Sequence, residues 1–167
     1  MYDNLKKALA IEGQKLVGQL RSQLKIDGTY ATGKTSKSIR AEIDGLDLKI
    51  LADKSLGSID QGRGRNQKAP PASDILEWIE VKKIRPRNAD GTFLKVRNKD
   101  VYNRYLASRI AESIGEKGTI KRFNYSGTGI IDFVIGRNKS QVFDELVKAY
   151  KIDLNNILQD ITTKKNG

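Results

Sequence analysis

The sequence predicts an α+β fold in which long N- and C-terminal helices pack on a small, mostly antiparallel sheet. Two observations predict the helices, because apolar residues recur at helical spacing from residue 5 to residue 24 and again from 143 to 161. A third predicts the sheet, since the turn dipeptide Asp44-Gly45 separates two short strand-like runs. Two shorter helices and a basic loop complete a single predicted domain over 1–163, with a frayed tail at 164–167.

The first helix is predicted over 4–25, with Asp3 as its N-cap and Gly28 as its stop. Its buried stripe comprises Leu5, Leu9, Leu16, Leu20 and Leu24. After a short polar stretch, "RAEID" and "LDLKILA" on either side of Asp44-Gly45 predict two antiparallel strands.

The middle of the chain is predicted to alternate between loops and short helices. Residues 53–71 are glycine-rich and polar, which is typical of a loop with little local structure. A helix over about 73–83 follows, with Asp74 and Glu77 as a capping pair and Trp78 as a core anchor. Another helix is predicted over 100–115.

The C-terminal part is predicted as a strand and then a helix. "GIIDFVIG", residues 129–136, has the pattern of a buried strand, and Ser140 then caps a helix over 141–162. We expect the core-facing stripe of this helix to comprise Phe143, Leu146, Val147, Tyr150, Leu154, Ile157, Leu158 and Ile161.

The composition lowers the expectation of an enzyme. The chain has no cysteine and no histidine, which removes disulfides, thiolate zinc sites and the commonest general base. No catalytic residue, cofactor site or metal site is therefore expected. The net charge of +11 favours polyanionic partners such as nucleic acid, and no apolar run approaches membrane-spanning length, so we expect a soluble protein.

One segment matches the phosphate-binding P-loop pattern, namely "GTYATGKT", residues 28–35. A P-loop joins a buried strand to a long helix. In this chain Gly28 follows an amphipathic helix, and only a short stretch separates Thr35 from the Asp44-Gly45 turn. We therefore interpret the match as coincidental.

The most basic segment is "KKIRPRNADGTFLKVRNK", residues 82–99, in which seven cations accompany one acid, Asp90. "NADGTF" predicts a turn, so the segment is either an exposed loop or a basic hairpin. The segment 82–99 either contacts a polyanion or another partner, or is a solvent-exposed segment without a binding role.

Four segments resemble, in order, those of the neck or tail-completion proteins of tailed bacteriophages, which form the head–tail connector. "TGKTSKSIRAEI" is similar to the family segment between the first helix and the hairpin, and "LADKSLGSIDQGRG" corresponds, with departures at Leu56, Gly57, Ile59 and Gln61-Gly62, to its Tyr-Ala…Glu-Phe-Gly-Thr stretch. "APPASDILEWIEVKKI" resembles the Pro-Pro…Leu-x-x-Trp helix, and "LASRIAESIGEKGTIKRF" the helix ending in Gly-Thr and a terminal Phe. The resemblance spans about 4–124, and the segment after Phe123 is less typical.

The resemblance implies a structural virion protein rather than an enzyme. Such proteins form homo-oligomeric rings, expected here to be twelve-fold or six-fold, that bind portal, neck or tail proteins. Genomic double-stranded DNA passes through the bore. The protein would assemble in the host cytoplasm and reside in the virion, with no membrane partner.

Two sets of residues are candidates for these contacts. Because a two-stranded hairpin is marginal alone, we expect it to add to a neighbour's sheet, with the following loop reaching across the ring interface. The candidate interface residues are Ile43, Leu46, Leu48, Ile50, Leu56 and Ile59. The candidate residues that contact DNA or acidic partners are Arg63, Arg65, Lys68, Lys82, Lys83, Arg85, Arg87, Lys95, Arg97 and Lys99.

Two alternatives from other classes stay open. One is a sequence-nonspecific nucleic-acid-binding protein that uses the segment 82–99 and stacks bases on Tyr102, Tyr105, Phe123 and Tyr125. The other is an enzyme, either a P-loop phosphotransferase or a metal nuclease built on Asp44, Asp47, Asp53 and Asp60, although these spacings match no known ligand set.

Overall fold

A computed structural model describes residues 2–88, 90–120 and 126–165, and confirms the α+β class with long terminal helices. The chain forms two compact units. The terminal-helix unit comprises Met1–Asp27, Lys34–Ser55 and Gly129–Gly167, and the basic unit comprises Gly28–Gly33 and Leu56–Thr128.

Two long helices form most of the terminal-helix unit. Helix α1 (Asp3–Ile26) and the C-terminal helix (Ile130–Lys165) run antiparallel, since Asn4 bonds to Asp153 and Gln19 bonds to Asn138. The prediction for α1 is confirmed to within a residue at each end. Its buried apolar residues are Leu9, Val17, Leu20 and Leu24.

The N-terminus of α1 is capped from a distant part of the chain. The predicted cap Asp3 is instead the first helical residue, and Tyr2 in the N-cap position makes no side-chain cap hydrogen bond. The Asp153 carboxylate accepts hydrogen bonds from the backbone N–H groups of Asn4 at 3.2 Å and Leu5 at 2.8 Å. It thus supplies acceptors that a local cap usually provides.

The predicted hairpin is confirmed. A short helix, α2 (Lys34–Ser38), leads into β1 (Arg40–Asp44), which pairs antiparallel with β2 (Asp47–Leu51) so that Ile43 lies opposite Leu48. One face of the hairpin packs on α1 at Gly13, where an added Cβ would lie 2.7 Å from Leu48 Cδ1. Because side chains alternate along a strand, the other face carries the charged residues, with an ion pair between Lys49 and Asp44 at 2.8 Å.

The predicted strand at 129–136 and the predicted helix start near Ser140 are wrong. Residues Ile130–Lys165 form one continuous helix, in which Ile130 and Val134 are buried four residues apart. An apolar run of eight residues fits a buried strand and a buried helical segment equally well by periodicity, and the following helix extends through it. The tail prediction is also changed, because the helix runs to Lys165, while 166–167 lie outside the described residues.

The basic unit contains two longer helices, α4 (Ala72–Val81) and α5 (Lys99–Lys117), which pack on each other. Both confirm predicted helices to within two residues. A further helix, α3 (Lys54–Gln61), lies where a loop was predicted, and the C-terminal helix is hereafter α6. Ile79, Ala107 and Ala111 are buried, whereas Trp78, the expected core anchor, is 38% exposed.

Candidate nucleic-acid interface

The basic segment folds back on itself as a small hairpin. Leu94 N–H donates to the carbonyl of Pro86 at 3.0 Å, and Asn88 N–H donates to the carbonyl of Thr92 at 2.8 Å. Arg87 and Phe93 form an isolated antiparallel bridge between these two bonds. Of the two arrangements considered from the sequence, the structure has the hairpin.

The turn of this basic hairpin is held by its single acid. The Asp90 carboxylate accepts hydrogen bonds from the Thr92 backbone N–H at 2.9 Å and from the Thr92 hydroxyl at 2.7 Å. These bonds, with the side-chain hydroxyl first, lower the pKa of Asp90 below its ordinary value. Asp90 therefore orders the turn that presents the cations around it.

An exposed aromatic ring lies among the cations. Phe93 is 54% exposed, and the guanidinium carbons of Arg87 and Arg85 lie 4.7 Å and 5.7 Å from its ring centroid. Cation–π contact orients both arginines while leaving their donors able to reach an anion. Phe93 was missing from the sequence-based candidates, although its place between Arg87 and Lys95 was the available signal.

Most of the predicted contact residues share this exposed character. Lys83, Lys95, Arg97 and Lys99 are exposed, and α5 starts at Lys99 with Asn98 capping it through a bond from the Val101 N–H at 3.2 Å. Arg65 and Lys68, on the loop before α4, are exposed as well. The basic unit thus presents cations from both its hairpin and this loop.

Arg63 has a different role, because its backbone joins the loop to the end of α5. Arg63 N–H donates to the Thr119 hydroxyl at 2.8 Å, and Thr119 N–H donates to the Arg63 carbonyl at 2.9 Å. The Arg63 guanidinium is only partly exposed and donates to the Lys68 carbonyl. These contacts suit a residue that shapes the loop rather than one that binds DNA.

The same loop completes the C-terminus of α5. The final carbonyl groups of a helix lack partners within the helix. Gln67 N–H donates to the Gly115 carbonyl at 2.9 Å, and Asn66 N–H donates to the Glu116 carbonyl at 3.1 Å. The loop thereby satisfies two of these carbonyls.

Gly118 allows this close approach. Its φ of 68° is unfavourable for other residues, and a Cβ there would lie 2.4 Å from the Arg63 carbonyl oxygen. The Gly-Thr pair at 118–119, one of the segments that carry the family resemblance, thus has a structural reason in this chain.

Lys82 is also engaged within its own unit. Its ammonium group donates to the Gly28 carbonyl at 3.0 Å and the Tyr30 carbonyl at 3.2 Å, so it fixes the segment 28–33 to the end of α4. Lys82 is therefore a weaker candidate for DNA contact than its exposed neighbours.

The P-loop-like segment lacks the structural context of a P-loop. Helix α1 ends at Ile26 just before it, and the helix that starts at Lys34 has only five residues. A Cβ on Gly33 would lie 2.6 Å from the Tyr30 hydroxyl, so the side chain of Tyr30 packs closely against the backbone of this segment. The predicted context, a helix rather than a strand before Gly28, is confirmed.

The aspartates of the metal-nuclease alternative do not come together. Among the described residues, no group of three or more carboxylates is placed to hold a metal ion. Asp44 is paired with Lys49, and Asp53 accepts a hydrogen bond from the Ser55 N–H at 3.0 Å. Asp53 thus caps the start of α3.

The candidate ring-interface residues differ in accessibility. Ile43 and Leu46 are 38% and 45% exposed, and Leu48 and Ile50 are half-buried on the hairpin. Ile59 is half-buried, and Leu56 is only 5% exposed. Ile43 and Leu46 therefore offer the most surface to a neighbouring molecule.

The aromatic residues of the nucleic-acid-binding alternative are only partly described. Tyr105 is 62% exposed, and its ring centroid lies 6.5 Å from that of Tyr102. Phe123 and Tyr125 lie outside the described residues.

No protein-family model matches the chain, and neither curated proteins nor solved structures give a significant match. Within the described ranges, no helix combines the length and apolar character that a bilayer-spanning segment needs.

Proposed function

We propose that this protein is a structural virion component of a tailed bacteriophage, a subunit of a head–tail connector ring through which genomic DNA passes. The observation that carries the proposal is the order of the segments that resemble the neck and tail-completion proteins. The described residues of these segments form elements or junctions of the fold, and the fourth segment is described as far as Ile120.

The first resembling segment leads from α1 through α2 into the hairpin, which is the order of elements expected for the family. The Pro-Pro segment precedes and forms α4, and the fourth segment forms α5 from Leu106 onward, together with Gly118 and Thr119 at its end. The contact between Thr119 and Arg63 links the fourth segment to the end of the second. Mutual contact between resembling segments supports a common fold rather than isolated coincidences.

The distribution of charge supports DNA as a partner. The net charge is +11, and exposed cations cluster on the basic hairpin, with Arg85 and Arg87 oriented by Phe93. A connector must let DNA slide, so we expect few, weak phosphate contacts that are blind to sequence and sensitive to salt.

Ring closure needs a surface that recognises a neighbouring copy. We propose the hairpin for this contact, because in the described residues its two strands pair only with each other, and an edge without a strand partner is where another chain can add a strand. Ile43 and Leu46 are exposed at the turn end of the hairpin and would lie in such an interface.

Native mass spectrometry and negative-stain electron microscopy of the purified protein test the proposal. We expect closed rings with a central bore, disrupted by Ile43→Glu and retained by Ile11→Glu, a matched change at an isoleucine that is 56% exposed on α1. A protein that neither forms rings alone nor joins a portal or tail ring would contradict the proposal.

The alternative of a sequence-nonspecific nucleic-acid-binding protein is favoured by one observation, the exposed Phe93 between two arginines. It predicts a monomer or dimer that binds nucleic acid tightly in isolation. A particle mass measured together with a salt titration of DNA affinity separates it from a ring subunit that binds DNA weakly.

A further inference from the structure

Helix α6 carries an apolar stripe that the described part of the chain covers only in part, with Tyr150 stacked on Tyr2 at a ring-centroid distance of 5.9 Å. Phe143, Val147, Tyr150, Leu154, Ile157 and Ile161 follow one another at alternating spacings of four and three residues. This is the a and d pattern of a heptad repeat, the pattern of helices that pair in coiled coils. These six residues are called the α6 stripe below.

The sequence predicted these residues, with Leu146 and Leu158, as a core-facing stripe, and that prediction is wrong for the exposed members. Phe143 is 65% exposed, Tyr150 41% and Ile161 59%, while the other three members are half-buried. The side of α6 that is buried instead carries Ile130, Val134, Ala149 and Asp153. Helix α6 therefore has two apolar faces, and the larger side chains lie on the more exposed one.

The exposed surface is large enough to form the centre of an interface. With about 150–250 Å² for a large side chain, the stripe and the adjacent Leu158, 61% exposed, leave roughly 500 Å² of apolar surface uncovered. Monomeric proteins rarely expose contiguous apolar patches of more than a few hundred Å². A standard interface buries about 800 Å² per partner, much of it in a polar rim around such a centre.

We propose that α6 of a second copy of this chain covers the stripe, parallel and in register. A heptad stripe matches another helix of the same repeat, and in register each layer places a residue against its own counterpart. Val147, Leu154 and Ile161 then occupy the a layers, and Phe143, Tyr150 and Ile157 the d layers.

The charges beside the stripe favour the parallel orientation. In a parallel pair each g position faces the e position five residues later in the partner, so Lys139 faces Asp144 of the second copy, and both side chains are exposed. An antiparallel pair that matches a layers with d layers instead brings Lys151 close to its own counterpart near the centre. Like charges that meet in this way disfavour the antiparallel alternative.

The inference does not depend on a role in a phage connector. The α6 stripe and the outer edges of the hairpin are different surfaces, so one can pair while the other assembles a ring. Loss of α6 pairing with rings intact would overturn only this inference, and loss of rings with α6 pairing intact would overturn only the connector proposal.

Light scattering coupled to size-exclusion chromatography tests the pairing. We expect the wild-type protein to show at least twice its chain mass of 18.7 kDa. Ile161→Glu, within the stripe, should halve the particle mass or raise the dissociation constant for pairing of two copies at least tenfold. Ile152→Glu, a matched change at an isoleucine that is 51% exposed off the stripe, leaves the mass unchanged.

Orientation is tested by disulfide formation, because the wild-type chain has no cysteine to interfere. A parallel pair brings the a-position residues of two copies within disulfide range, so Val147→Cys forms a cross-linked dimer on mild oxidation. Gln159→Cys, at an exposed position on the outer side of α6, does not.

A wild-type monomer at all concentrations overturns the proposal, as does an oligomer equally resistant to Ile161→Glu and Ile152→Glu. If Ile161→Glu loses helical circular dichroism, Phe143→Ser gives the same test at the other end of the stripe. Equal cross-linking of Val147→Cys and Gln159→Cys overturns the parallel arrangement.

Discussion

The carboxylate of Asp153 accepts a 2.8 Å hydrogen bond from the backbone N–H of Leu5, in the first turn of α1. The same carboxylate accepts bonds from the backbone and side chain of Asn4 at 3.2 Å and 2.8 Å. A negative charge at a helix N-terminus is favourable because the N–H groups there carry partial positive charge. Asp153, on α6, thus links the two terminal helices by capping the N-terminus of α1.

This contact predicts a specific dependence of stability on pH. Burial alone raises the pKa of Asp153, but the hydrogen bonds from Leu5 and Asn4, with a smaller contribution from the N-terminal charge, outweigh burial and hold the pKa below its ordinary value of 3.8. A carboxyl group with a lowered pKa in the folded state stabilises the fold above the unfolded-state pKa. That contribution is lost as the pH falls from about 4 through the folded-state pKa.

We therefore expect Asp153→Asn to lower the melting temperature by several degrees at neutral pH. The further fall in melting temperature below pH 4 should be smaller for this variant than for the wild type. Thermal unfolding followed by circular dichroism at a series of pH values measures both effects. Asp160→Asn, an exposed position on the same helix, is the matched control and should keep the wild-type profile. Identical profiles for Asp153→Asn and wild type would mean that the cap contributes nothing.

A second prediction concerns the contact between the loop and α5. Thr119→Val keeps the shape of the side chain but removes the acceptor for the Arg63 N–H. A buried or half-buried donor without its acceptor costs about 1–3 kcal/mol, so urea denaturation should show a loss of that size. Thr162→Val, at an exposed position where the hydroxyl donates to the Leu158 carbonyl, should change stability by less than about 0.5 kcal/mol.

A third prediction tests the packing of the hairpin on α1 with two glycines of one helix. An added Cβ at Gly18 has no neighbour within 4 Å, so Gly18→Ala should gain about 0.5–1 kcal/mol from helix propensity. At Gly13 the Cβ would lie 2.7 Å from Leu48 Cδ1 and 3.0 Å from Ala41 Cβ. Overpacking of this kind costs about 1–3 kcal/mol, so Gly13→Ala should destabilise.

Chemical denaturation of the two variants side by side gives the comparison, and each serves as the control for the other. Equal stabilisation by both substitutions would show that the hairpin does not lie against α1 at Gly13.

Local signals in the sequence predicted α1, the hairpin, α4 and α5, because each has a strong period or a turn dipeptide within its own length. What could not be predicted depends on contacts between distant residues. Asp153 caps α1 although it lies 148 residues beyond Leu5 in the chain, and no local pattern marks it as a cap. The burial of α6 was assigned to the wrong face because the more hydrophobic stripe was assumed to face the core, whereas the buried face holds Ala149 and Asp153.

The candidate interface was predictable in part. The exposed cations of 82–99 were evident from composition, but Lys82 and Arg63 are held by carbonyl groups that only the folded chain brings near them. Phe93 lies beside two arginines because it pairs with Arg87 in the basic hairpin. This pairing depends on which residues of the basic hairpin lie opposite each other.

The final prediction tests whether the basic hairpin contacts DNA. Affinity for duplex DNA falls with salt because phosphate contacts release counterions, and each contact contributes about 0.9 to the slope of log affinity against log salt. Lys95→Gln combined with Arg97→Gln removes two exposed cations and should reduce this slope by roughly 2 for every duplex sequence tested.

Lys6→Gln combined with Lys7→Gln removes the same charge from exposed positions on α1 and serves as the control. Fluorescence anisotropy with duplexes of unrelated sequence, measured over a range of salt concentrations, gives the slopes. If both double variants lower the slope equally, DNA affinity depends on the net charge of the protein and not on the basic hairpin. If neither changes it, the cations of the hairpin are better assigned to contacts with acidic protein surfaces.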